Sequence, residues 1–286
     1  MNLRTLGERN LTVAFLIPFY TTTHLIFGDH RVYVCDTFIG PEPMKQISKI
    51  IRERGHQDKP IVVFNSHADW DHMWGNCFFK DATILAHHEC RKRMEIEGEK
   101  WLKKFYDQRL GEVILTPPTT LFDTNYVFDD DDIEFFYSPG HTIDSASCYD
   151  RREKILFVGD NIESSAPYVN SLDFDTYIST LENYLQREWK YIVPGHDPVQ
   201  DDGSLVHANI EYLKLLKDWK VDLNALTPDA LDVHLYTLSK LAGNLITTGV
   251  QESTKTHYRD AIRVLEGMDP DERVRDYLAL YKRVIE

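Results

Sequence analysis

The sequence predicts an α/β protein with a helical segment at its carboxyl-terminal end. Short apolar runs alternate with helical patterns up to residue 203, whereas no strand pattern follows that position. Several apolar runs are continuous, as in strands buried on both faces, and polar clusters follow four of them directly. We therefore expect a core over residues 1–203, followed by a closing helix and a helical extension over residues 204–286.

Strands and helices alternate along the predicted core. Ile61–Phe64 is a continuous apolar run of the kind found in buried strands. Met44, Ile47 and Ile51 recur at helical spacing, and Gly55 then ends the helix. The predicted strands are 13–20, 24–27, 32–36, 61–64, 82–86, 127–128, 133–137, 155–158 and 191–193. Further helices are predicted over 88–105 and 172–189.

The segment after residue 203 has apolar residues only at helical spacing. Leu205, Leu213 and Leu216 belong to a first helix, and Thr227-Pro228-Asp229 is typical of a helix start with proline in the first turn. Two more helices are predicted over 228–241 and 271–285. These helices offer a surface for packing or for a homodimer.

Composition narrows the classes of function. The 286 residues include 46 Asp and Glu against 32 Lys and Arg, so the formal net charge is −14, and 42% are hydrophobic, enough for a sizeable core. The acidic balance disfavours nucleic acid and anionic membranes as partners. The four cysteines form no C-x-x-C pair, and no run approaches the roughly 20 apolar residues of a membrane span. We expect a cytoplasmic protein with reduced thiols that acts on a small molecule.

A dense set of metal-ligand residue types follows the buried strand 61–64. His67, Asp69, Asp71 and His72 lie within six residues. A turn at a strand end can aim such side chains at one point, and imidazole and carboxylate suit Zn²⁺, Fe and Mn²⁺. The alternative is a polar loop whose aspartate caps the next helix.

Three more strand ends carry ligand types. His141 and His196 each follow a Pro-Gly turn, and Asp160 follows Gly159 at the end of a buried strand. In open α/β sheets, strand ends are where ligands bind. We therefore predict that these residues join the first cluster in one metal centre.

This pattern resembles the metallo-β-lactamase superfamily. The family motif is His-x-His-x-Asp-His, followed by a distant His after Pro-Gly, an Asp after a strand and Gly, and a final His after Gly. Six of its seven positions match, over roughly residues 10 to 200, and the exception is Asp69 at the second motif position. The resemblance implies an αββα sandwich of two mixed β-sheets with outer helices.

The resemblance also implies two divalent metal ions. One would be bound by His67, Asp69 and His141, the other by Asp71, His72 and His196, and Asp160 would bridge them. The family implies Zn²⁺. The additional carboxylate of Asp69 reduces the positive charge of the site and favours Fe or Mn²⁺. A single ion with a weakened first site is the alternative.

A hydroxide shared by the two ions would cleave a small ester, thioester, lactone or phosphoester. Asp71 is the predicted catalytic residue, because it would orient that hydroxide and carry its proton to the leaving group. The alternative is a non-haem di-iron oxidoreductase resembling the flavodiiron branch, which has Glu at the second motif position. Only 90 residues follow His196, so that reaction would need a separate electron donor.

Neighbouring polar residues have secondary interpretations. Polar residues beside the ligands are expected to hold the ligand imidazoles. They are Thr142, Asp144, Asn161, Glu163 and Asp197. His87 and His88 open a charged helix and are interpreted as surface residues, and Asp129–Asp132 as a solvated hairpin turn, since it lacks the spacing of a calcium loop.

Overall fold

Twelve β-strands form two mixed sheets in the first of two units into which the chain divides. The computed structural model describes residues 1–286. The first unit comprises residues 1–139, 143–162 and 187–203, and the second comprises residues 140–142, 163–186 and 204–286. These units are discontinuous in sequence, and the division into domains at residues 203 and 204 stays a prediction.

The larger sheet has seven strands in the order in which they occur along the chain. They are β1 (Asn2–Leu6), β2 (Asn10–Phe15), β3 (Thr21–Phe27), β4 (Val32–Cys35), β5 (Ile61–Phe64), β6 (Thr83–His87) and β7 (Thr120–Phe122). The first four strands pair antiparallel, and β4 to β7 pair parallel. The carboxyl ends of β4 and β5 therefore lie at the same edge.

The smaller sheet has five strands in the order β12-β11-β10-β9-β8. They are β8 (Asn125–Phe128), β9 (Ile133–Tyr137), β10 (Ala146–Asp150), β11 (Ile155–Gly159) and β12 (Tyr191–Pro194). All pairs are antiparallel except β11 with β12. The parallel pair brings the ends of β11 and β12 together, and a hydrogen bond of 2.8 Å from Gly195 N to Gly159 O continues it.

Side-chain alternation builds two cores in this unit. In β5, Val62 and Phe64 pack between the sheets, and Val63 faces the opposite side. Between the sheets, the ring centroids of Phe64 and Phe135 lie 4.7 Å apart. The other face of the larger sheet is covered by α1 (Pro41–Glu53), which buries Met44 and residues one turn further along.

Shorter helical elements of this unit follow the parallel strands. They are α2 (Trp70–Met73), 3₁₀ helices over Trp74–Phe79 and Tyr106–Gln108, and α3 (His88–Lys104). Two backbone hydrogen bonds, Thr22 N to Gly195 O and Ala146 N to Ser66 O, both 2.8 Å long, join the sheets beside the ends of β5 and β12. The strand ends that carry the predicted ligands are thus fixed to each other by the backbone.

The second unit is helical. Its helices are α4 (Phe174–Gln186), α5 (Ser204–Lys217), α6 (Pro228–Thr248), α7 (Glu252–Glu266) and α8 (Glu272–Ile285). Thr227 and Asp271 cap α6 and α8 by accepting hydrogen bonds from Ala230 N and Val274 N. The aromatic rings of Tyr258 and Tyr281 pack edge to face at 5.1 Å between α7 and α8.

The sequence pattern did not predict α7, because its buried face includes Thr254, His257 and Ala261. None of the helices combines the length and hydropathy that crossing a membrane requires.

Candidate metal centre

The segment after β5 positions four of the predicted ligands. Asp69 has an extended backbone and precedes the first turn of α2, so His67 and Asp69 are presented from the non-helical segment after β5, and Asp71 and His72 from the helix. The backbone bond from His72 N to Asp69 O, 3.0 Å, closes this turn. Because His67 and His72 are 1% and 0% exposed, their imidazoles are turned into the protein.

Two glycines permit Asp160 and His196 to approach this segment. Gly159 has φ +54°, and a Cβ at this position would lie 2.6 Å from the Ser66 hydroxyl. A Cβ on Gly195 would overlap Asp160 Oδ1. Neither position accepts a side chain, which explains why the strands β11 and β12 end in glycine-containing turns here.

Four potential metal-ligand atoms of the first unit surround one position. His72 Nε2 lies 3.2 Å from His196 Nε2, and Asp160 Oδ2 lies 3.1 Å from the first and 3.3 Å from the second. Asp71 Oδ2 lies 3.4 Å from His196 Nε2 and 3.9 Å from His72 Nε2. Tetrahedral ligands at about 2.0–2.1 Å from a zinc ion are separated by ~3.4 Å. The donor set therefore fits one divalent ion.

A second group of donors adjoins the first through Asp160. His67 Nε2 lies 3.5 Å from Asp160 Oδ2 and 3.7 Å from Asp69 Oδ2. One carboxylate oxygen of Asp160 is thus within 3.5 Å of the Nε2 atoms of the three predicted histidine ligands in this unit, His67, His72 and His196. The structure brings together six of the seven predicted ligands here, with Asp160 at the centre.

Hydrogen bonds at Nδ1 fix the same tautomer in each of these histidines. His72 Nδ1 donates to Asp36 Oδ2 (2.7 Å), and His196 Nδ1 donates to the Tyr20 carbonyl oxygen (2.7 Å). The Ser66 hydroxyl donates to Asp36 (2.7 Å) and so accepts from His67 Nδ1 (2.9 Å). A neutral imidazole with its proton on Nδ1 carries a lone pair on Nε2. Three lone pairs therefore converge, as metal coordination requires.

The electrostatics of the cluster favour a cation. Burial alone would lower the pKa of His72, but Asp160, Asp36 and Asp71 together raise it well above 6.5. At His196 burial is likewise outweighed, by Asp160 and Asp71, and its pKa is raised. Burial would raise the pKa of Asp160, but the three imidazoles hold it well below 3.8. The buried carboxylate of Asp160 therefore stays charged and attracts positive charge to the centre.

His141, the seventh predicted ligand, belongs to the second unit. Its segment is only three residues long, and residues of the first unit flank it in the chain on both sides. His141 Nδ1 donates to the Tyr168 carbonyl oxygen at 3.2 Å, and Asn170 Nδ2 donates to the His141 carbonyl oxygen at 3.0 Å. This histidine therefore has the same tautomer as the other three.

Several residues around the cluster were not predicted. Asp36, Ser66 and the Tyr20 carbonyl orient the imidazoles, and Arg93 on α3 donates to Asp69. Asp36 directly follows strand β4, and the position of a carboxylate just after a strand was the signal that could have identified it. Asp144 was expected to hold an imidazole, but it accepts hydrogen bonds from Arg93 and from Ala68 N. Arg93 gave no sequence signal, since it lies in a charged helix.

Comparisons with known proteins agree with this geometry. Residues 16–196 match the sequence profile of the metallo-β-lactamase superfamily. The metallo-β-lactamase type 2 of Bacillus sp. (strain 170) is 28% identical over 172 residues, which cover 58% of this chain and 61% of that protein. The metallo-β-lactamase type 2 of Bacillus cereus matches with the same identity and coverage. The match thus spans about three fifths of these curated relatives.

Solved structures show the fold. The DIM-1 metallo-β-lactamase superposes with a TM-score of 0.58 at 17% identity, covering 75% of this chain and 97% of that one. The metallo-β-lactamase of Hirschia baltica gives a TM-score of 0.57 at 16% identity, with coverages of 74% and 96%. The predicted fold, two mixed β-sheets with helices and additional C-terminal helices, is confirmed.

The sequence match extends over more than half of the chain and ends at His196. The proteins that the chain resembles are metallo-β-lactamases, and the comparisons do not favour the di-iron oxidoreductase. The chain belongs to the metallo-β-lactamase superfamily.

Proposed function

We propose that this protein is a hydrolase with two divalent metal ions that cleaves a small ester, thioester, lactone or phosphoester. One observation carries the proposal, namely that three histidine Nε2 atoms lie within 3.5 Å of the single oxygen Oδ2 of Asp160. An aspartate so placed is suited to link two ions.

The donors divide into two sets. His67, Asp69 and His141 would hold one ion. Asp71, His72 and His196 would hold the other, with Asp160 shared, and His141 would enter from its three-residue segment. When bound, such ions lower the pKa of water and polarise a carbonyl or phosphoryl oxygen of the substrate. The family favours zinc, and the carboxylate of Asp69 makes iron or manganese compatible with the first set.

Asp71 is the proposed catalytic residue. Its Oδ2 lies beside His196 Nε2 at 3.4 Å, and the side chain is 14% exposed, so it adjoins both the donor cluster and solvent. With Oδ2 among the metal donors, the other oxygen of this carboxylate would orient the attacking water, accept its proton and deliver that proton to the leaving group.

An apolar wall beside the metal centre supports a substrate with an apolar group. The segment between β2 and β3 exposes Leu16 and Ile17, by 43% and 81%. Phe19 of the same segment packs against the His196 ring at 5.9 Å and against Trp70 at 5.8 Å. Exposed large apolar side chains next to a polar centre are typical of a ligand-binding surface. Acyl esters, thioesters and lactones have such groups.

The experiment combines elemental analysis with a substrate panel. Protein purified without added metal is analysed for zinc, iron and manganese. It is then assayed on esters, thioesters, lactones, phosphodiesters and β-lactams. We expect two metal ions per chain and turnover of at least one substrate class, both lost in Asp160→Ala and His72→Ala. The exposed residues His30 and Asp218 provide matched controls, His30→Ala and Asp218→Ala.

Two results would contradict the proposal. Full activity and metal content in Asp160→Ala would remove the metal assignment. Two irons with a visible charge-transfer band, and no hydrolysis of any substrate, would favour the di-iron oxidoreductase with a separate electron donor.

A further inference from the structure

Arg93 joins two carboxylates beside the metal centre. Its Nη2 donates to Asp69 Oδ1 at 2.6 Å, and its Nη1 donates to Asp144 Oδ1. The Asp144 side chain is fully buried, and the guanidinium carbon lies 5.5 Å from the centre of the Trp101 ring. A guanidinium enclosed by two acids and an aromatic face has little freedom to move.

The two oxygens of Asp69 have different environments because of this contact. Oδ1 faces Arg93, and Oδ2 faces His67 Nε2 at 3.7 Å. Asp144 Oδ2 also accepts a hydrogen bond from Ala68 N at 2.8 Å, which fixes the peptide just before Asp69. Arg93 and Asp144 together hold both the side chain and the backbone of Asp69, so that only Oδ2 points to the donor cluster.

Arg93 also changes the charge of the site. The superfamily motif has a neutral imidazole where this chain has Asp69, and a lone carboxylate would add one negative charge. The guanidinium in contact with Asp69 offsets part of that charge, because it pairs with Asp144 as well. Residues 69, 93 and 144 together then carry one formal negative charge, where without the guanidinium they would carry two.

We propose that Arg93 is a positioning residue of the metal centre that holds Asp69 as a charge-paired, one-oxygen donor in place of the second motif histidine. This inference rests on the proposed binding of metal ions, but not on the nature of the substrate. It predicts that the residue at position 93 that gives the tightest metal binding depends on which residue occupies position 69.

Zinc affinity in a double-mutant cycle tests the charge. The dissociation constant for Zn²⁺ alone is measured by competition with a chromophoric chelator for wild type, Asp69→His, Arg93→Met and the double variant. In Asp69→His the guanidinium stays beside the ion with Asp144 as its one remaining carboxylate partner, so its repulsion of the ion is less compensated, and we expect Zn²⁺ binding at least ~10-fold weaker. Arg93→Met added to Asp69→His removes this repulsion and should recover most of the loss. A double variant that binds no more tightly than Asp69→His would overturn the inference.

The Co²⁺ absorption spectrum tests the positioning. In Arg93→Met both oxygens of Asp69 can reach the ion, so we expect a higher coordination number and a weaker visible band than in wild type. Arg93→Lys keeps the charge and one donor to Asp69, and its spectrum should return towards the wild-type intensity. An arginine with only a structural role would leave the Co²⁺ spectrum unchanged. Identical spectra for wild type and Arg93→Met would therefore contradict the positioning role.

Control measurements distinguish failure of this inference from misfolding of a variant and from failure of the proposed function. Circular dichroism of the metal-free variants checks folding. Should Arg93→Met fail to fold because Asp144 loses its partner, the cycle is repeated in an Asp144→Asn background. Zinc binding by wild type without hydrolysis of any substrate would contradict the proposed hydrolase and leave this inference standing. Absence of zinc binding by wild type would overturn both.

Discussion

Each imidazole of the metal centre is oriented by a hydrogen bond from its Nδ1, and Asp36 has the largest part in this arrangement. Asp36 accepts from His72 Nδ1 and from both the backbone N–H and the hydroxyl of Ser66, all at 2.7 Å. The hydroxyl in turn accepts from His67. The single carboxylate of Asp36, which lies in a different segment of the sequence, therefore orients two predicted ligands, His67 and His72.

Replacement of this carboxylate should weaken metal binding without removing a ligand. In Asp36→Asn the amide oxygen still accepts one hydrogen bond, but the charge opposite His72 is lost. We expect zinc affinity to fall about 10- to 100-fold, as for other residues that orient metal ligands. Chelator competition measures the change, and Asp218→Asn at an exposed position is the control. Unchanged affinity in Asp36→Asn would contradict the orienting role.

The space beside Asp160 leads to a second prediction for a single residue. A Cβ at position 195 would overlap Asp160 Oδ1 and lie 3.0 Å from His72 Cε1. Gly195→Ala should therefore displace Asp160 and abolish binding of at least one ion. Gly243 in α6 is the matched control, because a Cβ there would have no other atom within 4 Å. Gly243→Ala should retain both ions and gain about 0.5–1 kcal/mol in the free energy of unfolding.

At the scale of elements, strands with continuous apolar runs were predictable and irregular segments were not. The run Ile61–Phe64 is a strand as predicted, because both faces of β5 are buried. The predicted strand 13–20 instead ends at Phe15; residues 16–18 are exposed, and half-buried Phe19 packs against the His196 ring. Apolar residues usually indicate burial, and residues 16–18 are exposed instead.

Some polar residues that the sequence predicted to be exposed are buried. Asp131, predicted to be solvated in its hairpin turn, is fully buried, and it accepts hydrogen bonds from His30 N and Tyr33 Oη. His87, interpreted as a surface residue, is 2% exposed and stacks on Tyr137. The partners that make these burials favourable are distant in sequence, so no local pattern reveals them.

The exposed segment between β2 and β3 should contribute to substrate binding. Replacement of Ile17, 81% exposed, by serine removes apolar surface without disturbing the core. We expect KM for substrates with apolar groups to rise several-fold in Ile17→Ser, with metal content and folding unchanged. Steady-state kinetics on the best substrate of the panel measure this effect. Leu121→Ser, on the edge strand β7, is the control, and an equal KM in both variants would contradict the prediction.

Helices α5 to α7 contain a buried pair of hydrogen-bonded histidines. The Tyr212 hydroxyl forms a hydrogen bond of 2.8 Å with His234 Nδ1, and His234 Nε2 forms one of 2.8 Å with His257 Nε2. Burial, and then the neighbouring His257, lower the pKa of His234 to about 3. Burial also lowers the pKa of His257, although Asp260 opposes the shift. Trp219 covers the His257 ring at 6.0 Å.

This pair should make the helical unit sensitive to acid. The folded-state pKa of His234 lies below the unfolded value of 6.5, so its contribution to stability is complete above pH 6.5 and is lost as the pH falls towards 3. At pH 5 the loss for His234 is about 2 kcal/mol. Hydrogen exchange of α6 and α7 amides should accelerate accordingly. His234→Gln keeps both hydrogen bonds and should reduce the pH dependence, whereas an equal dependence in both proteins would exclude this cause.

At the scale of the whole molecule, the arrangement of strand ends explains why the site could be predicted. His67, Asp160 and His196 follow strands whose ends the two sheets bring to one edge, so their positions in sequence already indicated convergence. Arg93 could not be predicted, because its carboxylate partners, Asp69 and Asp144, lie 24 and 51 residues away. The amino-acid composition along the chain also gave no indication that the chain divides into two units that are discontinuous in sequence. A homodimer through the C-terminal helices stays a prediction.

Removal of metal should destabilise the whole first unit, because the proposed ions would hold strand ends from both sheets together. An ion bound at 100 times its dissociation constant adds about 2.7 kcal/mol to the free energy of unfolding. The donors that would share the ions come from strand ends of both sheets, His67 from the end of β5 and Asp160 and His196 from the ends of β11 and β12. We therefore expect a chelator to lower Tm by several degrees, and Zn²⁺ to restore it. Asp160→Ala should show no response to either addition. A Tm unaffected by chelation in wild type would mean that the ions do not link the sheets.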